Sequence, residues 1–183
     1  MIMSPRLRRL ALIAHVTSTV GWLGAIVGFL ALAVAAMTSQ DVQLVRGAYL
    51  AMELTGWYVL VPLCVASLLT GLFMSLGTPW GLFRHYWVLV KFVITILAAI
   101  ILFMYTQTLE QLGALARDPA LSLNELRNPS PVLHAGLAVL ALLVNTTLSV
   151  YKPKGMTRYG RRKQRAQRAV GQPVVSPIRA ATD

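Results

Sequence analysis

The 183-residue chain is 56% hydrophobic and only 13% charged, with a mean hydropathy of +0.63, which takes it out of the range of soluble domains. Lys plus Arg number 17 against 6 for Asp plus Glu, a net charge of +11, so the placement of that charge is the informative quantity. A single cysteine, Cys64, excludes an internal disulfide framework and a multi-cysteine zinc site.

Four apolar runs meet the roughly 20 residues that a helix needs to cross a hydrocarbon core about 30 Å thick. They are 10–37, 54–76, 87–106, interrupted once by Lys91, and 131–151. Helices are required because lipid offers the backbone no hydrogen-bond partner. The first run, following Arg6, Arg8 and Arg9, also resembles a secretory signal, but it is much longer than the ~7–15 apolar residues of a signal core, and its removal leaves an odd number of spans.

Arg6, Arg8, Arg9, Arg84 and the basic tail fall on one side of the spans, whereas Arg46, Arg117 and Arg127 on the other are offset by Asp41, Glu110, Asp118 and Glu125. The positive-inside rule then predicts both termini in the cytoplasm. The expected fold class is all-α: a polytopic integral membrane four-helix bundle, N-in/C-in, over residues 1–151, followed by a basic and disordered tail over 152–183.

Interfacial anchors agree, with Trp57 and Tyr58 at the outer surface and Trp80, Tyr86 and Trp87 at the inner one. Residues 107–130 form the one long outer segment, punctuated by Asp118-Pro119, Asn128-Pro129 and Ser130-Pro131, with a short helix expected around 121–126. No internal repeat is visible.

Ionisable groups at membrane depth cost about 2.5–3.5 kcal/mol each on insertion scales and need a reason. His15, Glu53, Lys91 and His134 are therefore the candidate functional residues, with interfacial His85 a weaker one. At helical spacing Glu53, Trp57, Leu60, Cys64, Ser67 and Gly71 share a face; so do His134, Ala138, Ala141 and Asn145, and so do Lys91, Thr95, Ala98 and Tyr105. Glu53 and His134 both open inward-running helices, and they are expected to approach each other as a carboxylate–imidazole pair. Gly21, Gly24 and Gly28 form a small-residue face opposite His15, Thr19 and Trp22, and mark helix packing within the bundle or in a second subunit.

His15-x6-Trp22-x-Gly24, together with Gly56-Trp57, Pro62, Gly71, Trp80-Gly81, the Arg84-His85-Tyr86-Trp87 run and Lys91, resembles a family of small bacterial four-helix integral membrane proteins of unknown function. The resemblance spans about residues 10 to 150, excludes the tail, and implies a topology and a bacterial inner-membrane location. The opening motif is also similar to the first helix of copper-resistance D membrane proteins, which would imply copper handling, yet Met-rich and His-rich patterns suited to a soft metal are absent.

The expected function is non-enzymatic: a small transport, scaffold or accessory subunit with a polar bundle interior and no cofactor or metal. One alternative is a haem b electron carrier with an axial histidine between helices; His15 and His134 lie near opposite surfaces and cannot share one porphyrin. The other is metal transport or sensing with Glu53 and His134 as an entry site, two ligands where three or four are usual. No hydrolase or phosphate-loop motif occurs. In the tail, Lys152, Lys154, Arg158, Arg161, Arg162, Lys163, Arg165 and Arg168 run without an acidic residue and are expected to contact anionic lipid headgroups rather than nucleic acid. A homo-oligomer or a membrane partner subunit is the remaining expectation for partners.

Overall fold

The computed structural model describes residues 3–77, 81–153 and 155–171. It is all-helical. Pro5–Thr38 forms α1; Val42–Thr55 (α2), a π turn at Gly56–Leu60 and Val61–Gly77 (α3) join into one rod; α4 is Tyr86–Arg117, α5 Leu123–Leu126, α6 Ser130–Tyr151 and α7 Arg158–Gly171. Four helices are long and apolar enough to cross a membrane: α1, the α2–α3 rod, α4 and the helical stretch ending at Tyr151.

Local signals set the boundaries. Ser4 accepts from the Leu7 amide with Pro5 in the first turn, and Asp41 accepts from the Gln43 amide at 2.9 Å. Ser122 and Glu125 form a capping box around α5, and Asn128 accepts from the Ser130 amide at 2.8 Å ahead of α6.

The rods run up and down in sequence. The α2–α3 rod and α6 flank α1, and the same two flank α4, so the four form a ring. We call the end that holds Pro5, Gly77, Tyr86 and Tyr151 the basal end and the opposite one the cap end. In α1 the buried residues Ala11, Ser18, Trp22, Ile26, Phe29, Ala33 and Ala36 recur at intervals of three, four or seven, the seam of near-parallel packing. Away from that seam the apolar Ile13, Val20 and Val27 are exposed.

The glycine face of α1 does not pack within the bundle. A Cβ on Gly24 or Gly28 would meet nothing within 4 Å, and only Gly21 faces a neighbour, Leu63 at 3.6 Å. The packed face is the one carrying His15 and Trp22, because the large residues on it bury far more surface than a glycine stripe.

Helices also extend beyond the expected spans. The second rod begins at Val42 rather than near residue 54, and α4 continues to Arg117 rather than ending near 106, so much of the expected outer loop is helix. At about 1.5 Å per residue, the 34 residues of α1 and the 32 of α4 reach about 50 Å, well past a hydrocarbon core of about 30 Å. The short helix expected near 121–126 is present as α5, wedged under the cap by the fully buried Leu126. The tail departs from the expected disorder over Arg158–Gly171, which is α7; 172–183 lie outside the described residues, as do Lys154 and Trp80, and only the backbone of Arg168 is described.

The π turn has a local cause. Pro62 has no amide proton, and in a regular helix its ring would collide with the Tyr58 carbonyl. Widening the turn relieves this, and the Val61 amide reaches back five residues to Gly56 O. The extra residue shifts the helical register. Below it Leu60, Cys64 and Ser67 are buried as expected, but above it the buried positions are Val45, Tyr49, Met52 and Gly56. Glu53, a candidate buried group, is turned toward the edge of that face beside Trp57, which is 39% exposed.

Candidate functional site

Two polar clusters form, one at each end of the bundle. At the basal end α4 contributes Lys91 and Thr95, and α6 contributes Asn145 and Ser149. Lys91 Nζ donates to Ser149 Oγ, which in turn donates to Asn145 O at 2.9 Å. Asn145 Nδ2 donates to Thr95 Oγ1 at 3.1 Å, and Thr95 Oγ1 donates to Lys91 O at 2.9 Å. A closed polar circuit thus stitches two helices below the apolar core. The ammonium also lies 5.9 Å from the Trp87 ring centroid, within cation–π range.

Across the ring, His15 Nδ1 is 3.0 Å from Thr70 Oγ1. The Thr70 hydroxyl proton is directed to Ala66 O at 2.6 Å, so in the neutral ring Nδ1 carries the proton and Nε2 keeps its lone pair. The imidazole is seated on Gly71, where a Cβ would stand 3.0 Å from His15 Cε1. His15 is thus held to α3, at the same end of the bundle as the α4–α6 cluster but not hydrogen-bonded to it among the described residues.

Two buried side-chain atoms on different levels of the bundle have no hydrogen-bond partner among the described residues: Trp22 Nε1 in α1, on a side chain only 2% exposed, and Asn145 Oδ1 in the basal cluster, on one 8% exposed. Among the described residues Lys91 has no carboxylate partner, since Asp41, Glu53, Glu110, Asp118 and Glu125 all belong to the cap half.

At the cap end the expected Glu53–His134 approach is not formed. Glu53 Oε2 accepts from Arg117 Nη2 at 2.6 Å, lying against Gly113 in space that a Cβ would occupy. His134 Nδ1 is 2.9 Å from Ser130 O, and its ring stacks on Tyr105 with centroids 4.2 Å apart. The π turn explains the separation, because it rotates Glu53 toward α4.

The rest of the cap is held by residues that the sequence presented only as loop charges. Arg46 donates to the carbonyls of Ala116 and Leu121, each at 2.9 Å, and of Asp118, taking up orphan acceptors at the end of α4. Tyr49 donates to Leu126 O at 2.7 Å, Arg127 to Ser39 O at 3.0 Å, and Trp57 Nε1 to Glu110 at 3.2 Å. A shallow groove of about 550 Å3 beside Arg46 and Arg117 opens on this face, but both guanidinium groups are engaged with the fold. The cap is a structural clamp.

His85 lies outside both clusters, at the N-terminus of α4, where it pairs through its backbone with Met156. His15 and His134 stand at opposite ends, each with Nδ1 engaged. Among the described residues no three His, Cys, Asp or Glu side chains gather in metal-binding geometry. Cys64 is fully buried in the core.

Sequence reasoning found Lys91, His15 and Asn145 but not Ser149 or Thr70, although Ser149 follows Asn145 by one helical turn on the same face. No family model, curated protein or solved structure matches the chain. Fold and site together define an all-helical protein with four apolar spans and a polar basal core.

Proposed function

We propose that this chain is a non-enzymatic multi-pass membrane protein, a small transport or accessory subunit, whose functional site is the basal cluster of Lys91, Ser149, Asn145 and Thr95, with His15 at the same end of the bundle. The observation that carries this reading is Lys91, a cation inside the bundle whose partners are a hydroxyl and an indole face rather than a carboxylate. Its burial costs several kcal/mol that an apolar residue would not, and such groups mark ion, proton or substrate pathways in membrane proteins.

Arg6, Arg8, Arg9, Arg84, Lys152, Arg158, Arg161, Arg162, Lys163 and Arg165 gather at the basal end, which supports a cytoplasmic placement of that end and of both termini. The resemblance to small bacterial four-helix proteins supports the inner membrane as its location. The test is proton and small-ion flux into proteoliposomes of the full chain. Wild type is expected to conduct, and Lys91→Met to lose at least about tenfold of that flux while keeping its helical circular dichroism. Wild-type vesicles no leakier than empty ones would remove the transport role, and an unaltered Lys91→Met would remove the site.

A further inference from the structure

The segment after α6 folds back on the bundle. The Tyr86 amide donates to Gly155 O at 3.4 Å, the Thr157 amide donates to Arg84 O at 3.0 Å, and His85 and Met156 form an isolated antiparallel bridge. The Thr157 hydroxyl donates to Phe83 O at 2.5 Å and accepts from the Gly160 amide at 3.0 Å, so one side chain both clamps the α3–α4 connection and caps α7. Gly160 is buried against Arg84, where a Cβ would stand 3.1 Å from the Arg84 Cα and overlap its carbonyl oxygen. Only glycine permits this approach. The first turn of α7 is thereby fixed to the loop between two spans, beside Tyr86 and Trp87.

From that anchor α7 exposes Arg158, Arg161, Arg162, Lys163 and Arg165, and no acidic residue occurs in the helix. None of the five pairs with a carboxylate among the described residues. Its apolar content, Tyr159, Ala166, Ala169 and Val170, is too small to draw it into hydrocarbon, so it attaches by charge rather than insertion. With 14 residues at about 1.5 Å each, α7 ends within about 20 Å of its anchor beside the α3–α4 connection.

We infer that the clasp at Thr157 and Gly160 holds α7 as a preorganised platform for the phosphates of anionic lipid headgroups. A free basic tail would lose conformational freedom on binding, whereas a helix already fixed at the surface loses less. Nucleic acid is disfavoured because the anchor keeps the basic groups beside the membrane plane, where lipid phosphate is the nearest and densest partner. The inference rests on the membrane-spanning reading of the bundle and is independent of the role of Lys91.

The experiment is hydrogen–deuterium exchange of residues 158–171 in the full chain, reconstituted in nanodiscs of phosphatidylcholine alone or with about 30% phosphatidylglycerol. Phosphatidylglycerol is expected to slow exchange about tenfold at low salt, with the effect largely gone at about 0.5 M salt. Replacing Arg161, Arg162, Lys163 and Arg165 together with Gln is expected to abolish the difference. Gly160→Leu and the isosteric Thr157→Val, which loosen the clasp, should each reduce it while the spans stay protected. Equal exchange in the two lipids with protected spans would overturn the inference and leave the membrane reading standing; unprotected spans would overturn both. Inorganic phosphate or RNA reproducing the protection in phosphatidylcholine discs would also overturn it, assigning the platform to a soluble anion or to nucleic acid.

Discussion

Arg46 and Glu53 offer a ranking opposite to the one that formal charge suggests. Glu53–Arg117 is the ion pair of the cap, yet its arginine side chain is 57% exposed, and pairs in that setting contribute about 0.2–1 kcal/mol. Arg46 makes no ion pair but donates to three carbonyls, two of them part-buried at 2.9 Å. At about 0.5–1.5 kcal/mol for each of the two shielded bonds, Arg46→Met should cost about 1–3 kcal/mol, the retained aliphatic stem limiting packing loss. Glu53→Gln should cost less than about 1 kcal/mol, since the amide still accepts from Arg117. Reversible unfolding of both variants in mixed micelles measures the two differences directly, and exchange at residues 112–126 locates them. A Glu53→Gln cost equal to or larger than that of Arg46→Met would refute the assignment of the cap to carbonyl capping.

Two further substitutions address the α1 interfaces. Gly71→Ala places a methyl group 3.0 Å from His15 Cε1 and should break the Thr70 bond without unfolding the bundle; the His15 ring nitrogen resonances in detergent would stay unchanged if the seat were looser than described. Gly24→Leu with Gly28→Leu meets open space and should alter unfolding free energy by less than about 0.5 kcal/mol, whereas a loss beyond about 2 kcal/mol would mean that this face is packed.

Much of the architecture was legible because lipid imposes one-dimensional constraints. Apolar run length is tied to bilayer thickness, and the four helices long and apolar enough to cross a membrane followed from it. Register within a rod was legible only where the helix is regular. In α1 the three–four spacing placed His15 with Trp22, and in the second rod Leu60, Cys64 and Ser67 were read correctly. Above Pro62 the same arithmetic failed by one residue, and with it the Glu53–His134 pair. Proline announced a distortion, but a kink, a break and a π turn are all responses to it, and packing of Gly56 against Leu109 belongs to the one that formed.

By itself, the sequence determined the number of long apolar helices, the asymmetry of basic charge between their ends and the presence of ionisable groups within them, since each depends on chain composition read along one axis. Tertiary structure decided which polar groups meet: Lys91 with Ser149, Arg46 with the end of α4 and Thr157 with Phe83 join residues 58, 70 and 74 positions apart. Those pairings depend on the order of helices around the ring and on a single added residue in one turn, and neither quantity is written in hydropathy or spacing.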